Sequence, residues 1–171
     1  AGLSERVEIR YQDYRDEKDR FDHIVSIEMF EAVGERFWPV YFGKLAEALN
    51  RQGRAMIQTI TVADRYFDRY RKGGDMIRSF IFPGGMLPSP TQFRAGAERA
   101  GLQIDDSFGF GRDYARTLAH WLDRFDAKRP EVRSMGFDEA FIRVWRFYLA
   151  ACIASFAVGR TDVLQYRLAH A

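Results

Sequence analysis

Phe21-Asp22-His23-Ile24-Val25-Ser26-Ile27-Glu28-Met29-Phe30-Glu31-Ala32-Val33-Gly34 is the stretch on which the fold of this chain turns. Its apolar run, Ile24 to Ile27, has the length of a buried strand, and it delivers two acidic residues, Glu28 and Glu31, to the strand's C-terminal end. In open α/β sheets that edge is where ligands and chemistry gather. A carboxylate held there can accept hydrogen bonds from a cofactor or act as a base, and apolar surroundings would raise its pKa. The alternative is that Glu31 only opens a helix, where acidic side chains sit well against the N-terminal dipole.

Working outward, the flanks alternate strand-like and helix-like patterns. Val7-Glu8-Ile9-Arg10-Tyr11 alternates with period two and reads as a strand, followed by the polar loop 12–19. Phe37 to Asn50 carries Trp38, Tyr41, Phe42, Leu45 and Leu49 at helical spacing, with Pro39 in the first turn and Gly53 as terminator. Arg54 to Val62 follows as an apolar strand. Strand, helix, strand implies parallel pairing across a helical crossover, hence an α/β fold.

The middle of the chain changes character. Asp64 to Gly74 interleaves Arg65, Arg69, Arg71 and Lys72 with Tyr66, Phe67 and Tyr70. It suits either a lid lying on an anionic, apolar surface or a solvated helix whose aromatics face the core. Phe82-Pro83-Gly84-Gly85-Met86-Leu87-Pro88-Ser89-Pro90 must be a rigid turn system, with Ser89 or Thr91 capping a helix that runs to Gly101. Leu102-Gln103-Ile104 begins another strand. Two amphipathic helices then cover Asp113 to Phe125 and Phe137 to Phe156, and Thr161 to Leu168 closes the chain as a strand.

Composition bounds what this framework can do. The 171 residues suit one domain with a real core, and 47% hydrophobic with 15% aromatic residues argues against disorder. A net charge of +2 argues against wholesale nucleic-acid binding. The single cysteine, Cys152, excludes an internal disulfide and a cysteine-clustered metal site and suits a reducing compartment. His23, His120 and His170 show no metal-binding spacing. No apolar run reads as long enough to span a membrane, and the first residues show no signal-peptide core. No phosphate loop, serine nucleophile elbow or dinucleotide fingerprint is present.

Five ordered motifs carry a resemblance over nearly the whole chain. They are Gln12-Asp13-Tyr14-Arg15-Asp16, the run Ser26 to Gly34, Ile81 to Ser89 with its Phe-Pro-Gly-Gly core, Asp113 to Leu118, and Tyr148 to Cys152. Together they resemble the C-terminal half of the cyclopropane-fatty-acyl-phospholipid synthase family, which includes the mycolic acid cyclopropane synthases. The resemblance implies a class I, Rossmann-like methyltransferase fold, with residues 1–171 forming the C-terminal part of one domain. A helical lipid-pocket insertion would cover about 110–160. It implies S-adenosylmethionine as cofactor and methyl transfer to the cis double bond of an unsaturated phospholipid acyl chain, closing a cyclopropane ring. The site would lie in the cytoplasm at an anionic membrane surface, with the enzyme peripherally bound.

The same resemblance assigns residues. Glu31, Gln58, Ile60 through its backbone, and Tyr114 match a set that holds bicarbonate, the base thought to take the proton, and Tyr114 and the aromatic stripe would stabilise positive charge. Asp13, Tyr14 and Ile27 match cofactor-binding positions. Gln58 departs from the pattern, which has His there within a His-Thr-Ile run. An amide donates to an anion but carries no proton, so a methylated or methylene-bearing product, or loss of catalysis, stays open. The family's first two strands, its glycine-rich loop and an N-terminal cysteine of the anion site have no counterpart, and the chain has no initiator Met. The expectation is therefore a piece of a larger enzyme, inactive alone, in which the Val7 strand and the Ile24 strand lack the pair between them. Pairing with a second copy is the alternative.

Overall fold

The computed structural model describes residues 2–3 and 5–171. Strand β1 (Phe21–Ile27) lies parallel to β2 (Leu49–Val62), joined by the single turn α1 (Phe30–Val33) and the helix α2 (Trp38–Ala48). After α3 (Asp64–Lys72), a π-helical turn at Ile77–Ile81 and α4 (Pro90–Arg99), strand β3 (Leu102–Gly109) is followed by three helices. These are α5 (Gly111–Ala127), α6 (Arg129–Ser134) and α7 (Glu139–Ala157), and β4 (Thr161–His170) ends the chain. The sheet order is β1-β2-β4-β3, with β4 antiparallel to both neighbours. The parallel crossover expected from the Ile24 and Ile57 runs is present, inside a mixed α/β sheet.

One face of the sheet carries the main core. Ala55, Ile57, Tyr166 and Leu168 pack there against Trp38, Tyr41, Phe42 and Leu45 of α2 and Phe93 and Ala97 of α4. Phe30 is fully buried at the centre, its ring centroid 4.9 to 5.3 Å from those of Trp38, Tyr41, Phe42 and Phe93. Such offset and edge contacts add stabilisation beyond the buried area. The other face is covered only at one end, where Ile60 and Val163 meet Ala115, Leu118, Leu149 and Phe156 of α5 and α7. Val25 and Ile27, which alternate with the inward Ile24 and Ser26, stand on that second face and are about two-thirds exposed.

Several expectations are corrected. Val7 to Tyr11 forms no strand, and Ile9 is 93% exposed. A period-two pattern needs a ladder partner, and none reaches it among the described residues. In this chain β1 is the edge of the four-stranded sheet. Helix α2 ends at Ala48, not Asn50, and Gly53 lies within β2. There the ladder shifts register between Phe21 and His23, and a Cβ on Gly53 would sit 2.7 Å from the Asp22 carbonyl. The Asp64 segment is the solvated helix rather than a lid. Phe67 of α3 is buried, and Tyr66 and Tyr70 pack on the core. Finally, α7 is long and apolar enough to cross a membrane by length and composition, although Arg143 and Arg146 interrupt it locally. In this fold it packs on α5, and Arg146 pairs with Asp126 at 2.8 Å.

Ser89 caps α4, accepting from the Gln92 N–H at 3.3 Å. The helix approaches α2 so closely that a Cβ at Gly96 would enter the Phe42 ring. Gly96→Ala therefore destabilises the fold by about 1–3 kcal/mol despite its better helix propensity, read as a lower urea midpoint. Phe30→Ala should cost about 3–5 kcal/mol by the same measurement.

Candidate active site

The site is built where β1 and β2 end side by side. Ile27, the last residue of β1, pairs with Gln58 of β2. Glu28 follows with φ of +53°, a left-handed conformation that costs a residue with a side chain roughly 1–2 kcal/mol. It is held there by its own N–H, which donates to the Gln58 carbonyl at 2.9 Å. The bend turns the Glu28 carboxylate back over the sheet. Oε1 accepts from the Gln58 amide at 3.0 Å, and Oε2 accepts from the Tyr114 hydroxyl of α5 at 3.1 Å. Gln58 in turn accepts from Gln165 of β4 at 2.9 Å, across a directly opposed antiparallel pair. Four elements thus supply one continuous hydrogen-bond chain, Tyr114 to Glu28 to Gln58 to Gln165.

Glu31 sits beside this chain, placed by its neighbour. Burial of Phe30 fixes α1 against the core, and the Glu31 side chain returns to β2, where Oε1 accepts the Ile60 N–H. The main chain of Glu31 is also tied, its carbonyl accepting from Met86 N–H at 2.9 Å, which docks the Pro- and Gly-rich run. Oε2 is buried with no partner among the described residues. Burial raises the Glu31 pKa above the ordinary carboxylate value; the Ile60 N–H and the Thr59 hydroxyl offset it in part, and the nearby Glu28 charge adds to it. Glu31 is therefore both a first-turn residue of α1 and a functional carboxyl candidate.

Tyr114, which donates to Glu28, belongs to a cluster of aromatic rings. The Tyr114 ring meets Phe156 at 5.1 Å, Trp121 at 6.3 Å and Phe110 at 6.5 Å. Along α7 a ladder runs from Phe137 through Phe141 and Trp145 to Tyr148, which meets Phe82 at 6.0 Å. Burial raises the Tyr114 pKa, as does the Glu28 carboxylate. It pushes Tyr148 up to about 12 and Cys152 up to about 11. The phenols and the thiol therefore stay protonated at neutral pH, and the phenols remain hydrogen-bond donors.

Asp13, Tyr14 and Ile27 lie to one side of the acids. Asp13 caps the helical turn Tyr14–Asp16 and binds Arg15, whose guanidinium beside it holds its carboxyl down at about 2. Tyr14, Val33 and Phe37 wall a slot of about 170 Å³ with Asp13 and Arg15 at its rim. Tyr14 contacts Tyr41, and the Tyr41 hydroxyl donates to Ser26 at 2.8 Å, so the slot adjoins β1. Apolar walls with an acceptor at the mouth suit a planar, amine-bearing heterocycle, although both Asp13 oxygens already face Arg15. Ile27 is exposed at the end of β1.

Glu31, Gln58, Ile60 and Tyr114 are thus brought together, whereas Asp13 and Tyr14 form a neighbouring slot. Sequence reasoning placed Glu28 beside Glu31 at the strand end, but the family resemblance did not assign it to the site. It missed Gln165 entirely, because only the β2/β4 register brings that residue to the site.

The model of the family described as mycolic acid cyclopropane synthetase matches residues 1–166. The chain is 41% identical over 169 residues to a tuberculostearic acid methyltransferase of Mycobacterium tuberculosis, covering 98% of this chain and 40% of that protein. It is 38% identical over 152 residues to the cyclopropane-fatty-acyl-phospholipid synthase of Escherichia coli K12, covering 88% of this chain and 38% of that one. A crystal structure of a mycolic acid cyclopropane synthase complexed with SAH and CTAB matches with a TM-score of 0.81 at 26% identity, over 91% of this chain and 57% of that chain. The chain thus spans about 40% of the length of the curated relatives it matches.

The raised pKa of Glu31 has a thermodynamic consequence. Between the ordinary value of 4.5 and its higher folded value, the native state binds more protons than the unfolded state, so this group makes stability fall as pH rises. Glu31→Gln should remove that part of the slope, measured as urea midpoints between about pH 4 and 8.

Proposed function

The chain belongs to the mycolic acid cyclopropane synthetase family, and from that premise we propose that it carries the lipid-facing part of an S-adenosylmethionine-dependent methyltransferase acting on the cis double bond of an unsaturated phospholipid acyl chain. The fold is the α/β, Rossmann-like one of class I methyltransferases. The observation that carries the proposal is the cluster of Glu28, Glu31, Gln58 and Tyr114 at the C-terminal ends of β1 and β2, with Tyr114 packed among aromatic rings.

When bound, S-adenosylmethionine supplies an electrophilic methyl group on sulfur. Toward it this chain offers the Tyr14, Val33 and Phe37 slot for the adenine, with Asp13 at the rim and Ile27 beside it. The rest of the longer enzyme would supply the methionine end of the site, and residues 1–171 alone would not turn over. On the substrate side, the ladder from Phe137 to Tyr148 gives an acyl chain an apolar track ending near the acids. An alkene is a weak nucleophile, so the work of these residues is alignment and stabilisation of the cation formed after methylation. Ring faces around Tyr114 stabilise that charge in a site with little water. Glu31, anchored to the Ile60 N–H, fixes the floor.

In this reading the enzyme is cytoplasmic and peripherally bound to anionic membrane, using Arg65, Arg69 and Lys72 of α3. Arg71 and Arg78 are already paired with Glu35 and Asp75. A second copy completing the sheet along β1 is the alternative to completion by the longer enzyme, and binding of the cofactor product by residues 1–171 alone would favour it. The second reading concerns the product. Gln58 stands where the resemblance has His, and a relative at 41% identity is named as a methyltransferase, which favours a methylated or methylene-bearing chain over a ring.

The test is calorimetric titration of S-adenosylhomocysteine into residues 1–171 and into a version extended to the relatives' length. The extended protein is then incubated with labelled S-adenosylmethionine and vesicles of cis-unsaturated phosphatidylglycerol, and the acyl products are resolved by mass spectrometry. Binding and labelled lipid are expected from the extended protein only, and the product mass separates ring from methylene or methyl. Glu31→Gln should lower turnover by about 10²-fold or more; unchanged turnover would make Glu31 structural. Vesicle sedimentation should weaken with salt and with Arg69→Gln plus Lys72→Gln.

A further inference from the structure

The two side-chain donors that the family resemblance assigns to an external anion are both spent on a carboxylate of the chain itself. The Gln58 amide donates to Glu28 Oε1 at 3.0 Å and the Tyr114 hydroxyl to Oε2 at 3.1 Å. Gln58 is not free to turn elsewhere, since its carbonyl oxygen accepts from Gln165 at 2.9 Å. That contact fixes which end of the amide faces Glu28. The backbone is also bent for the purpose. Glu28 adopts φ of +53°, which favours glycine, and the bend is pinned by its N–H to the Gln58 carbonyl. A strained residue held by three hydrogen bonds at a strand end is the pattern of a functional group rather than of a turn filler.

We propose that Glu28 is a catalytic residue, the built-in anion and proton acceptor of this enzyme, standing where an exogenous bicarbonate would otherwise be held by Gln58 and Tyr114. This rests on the methyltransferase reading above. The alkene π pair forms the new bond to the methyl carbon, whose bond to sulfur breaks with its pair left on sulfur. The resulting lipid cation then loses a proton from the added methyl group to a Glu28 oxygen. The electron pair of that C–H bond closes the ring onto the cationic carbon; for a methylene product a hydride first shifts from the methylated carbon to the neighbouring cationic carbon, and the methyl C–H pair then becomes the C=C bond. No oxidant or reductant enters, and the proton passes from Glu28 to solvent at the end of the cycle.

Two features make Glu28 rather than Glu31 the acceptor. Glu31 is tied through Oε1 to the Ile60 N–H and its other oxygen is sealed from solvent, so neither oxygen is presented to a lipid cation. Glu28 is only half-buried and accepts from the hydroxyl of Tyr114, whose ring packs with Trp121 and Phe156, where the cation would form.

The decisive variant is Glu28→Gly, because glycine suits the positive φ and the fold survives the loss of the carboxylate. In residues 1–171, thermal melts with added formate or bicarbonate should leave the wild type unmoved and should stabilise Glu28→Gly, whose freed Gln58 and Tyr114 donors now hold the ion. Equal responses of the two proteins, or none in either, would overturn the proposal. This arm needs no turnover and stands even if the methyltransferase reading fails. In the extended enzyme, carbonate-free buffer should leave wild-type turnover unchanged. Glu28→Gly should lose about 10²–10⁴-fold and recover at least tenfold on adding formate or bicarbonate. A wild type that requires bicarbonate, or a Glu28→Gly enzyme that keeps full rate without added anion, would also overturn it.

Discussion

The parallel register of β1 on β2 is the constraint from which the site follows. Ile27 opposite Gln58 places the residue after β1, Glu28, at the side of the Gln58 amide and within reach of its carbonyl. Side-chain direction alternates along a strand, so a shift of one residue would turn Gln58 into the core and bring Ile57 to the site. The register is held by burial on the core face, where Ala55 and Ile57 are fully buried alongside Leu168. Packing on one face of the sheet therefore sets chemistry on the other.

Phe30 performs a similar coupling over a shorter distance. Its ring is the hub of the aromatic core, and the residue next to it is Glu31. The two carboxylates are separated by one turn yet differ in environment. Glu31 is tethered to main chain and largely sealed off, while Glu28 meets a phenol and an amide. Such divergence between neighbouring acids is how one site can give them different tasks.

The helices between β3 and β4 finish the arrangement. They cover only the Ile60 and Val163 end of the second sheet face, and Tyr114 enters the site from α5 because Ala115, Leu118 and Phe156 seat that helix there. Elsewhere the same face leaves Val25 and Ile27 exposed. The acidic cluster thus lies at the border between a covered and an open part of one sheet.

Much of the fold was legible in the chain because its signals are local. The Trp38 to Leu45 spacing, Ser89 ahead of Pro90, and the motif order each depend on near neighbours, and each took the form expected of it, whereas the Ile24 run became a strand but a largely exposed edge one rather than a buried one. Val7 to Tyr11 failed because alternation describes a willing strand without supplying a partner, and Gly53 failed because its need was a tight approach within a strand. The sequence by itself determined which residue types are present: two acids at a strand end, an amide in place of an imidazole, and a phenol opening an aromatic helix. Only the tertiary structure decided which donor meets which acceptor. Glu28 and Tyr114 lie 86 residues apart, and Gln58 and Gln165 lie 107 apart. Hydrogen bonds are short and directional, so partners so distant in sequence are chosen by sheet register and helix seating.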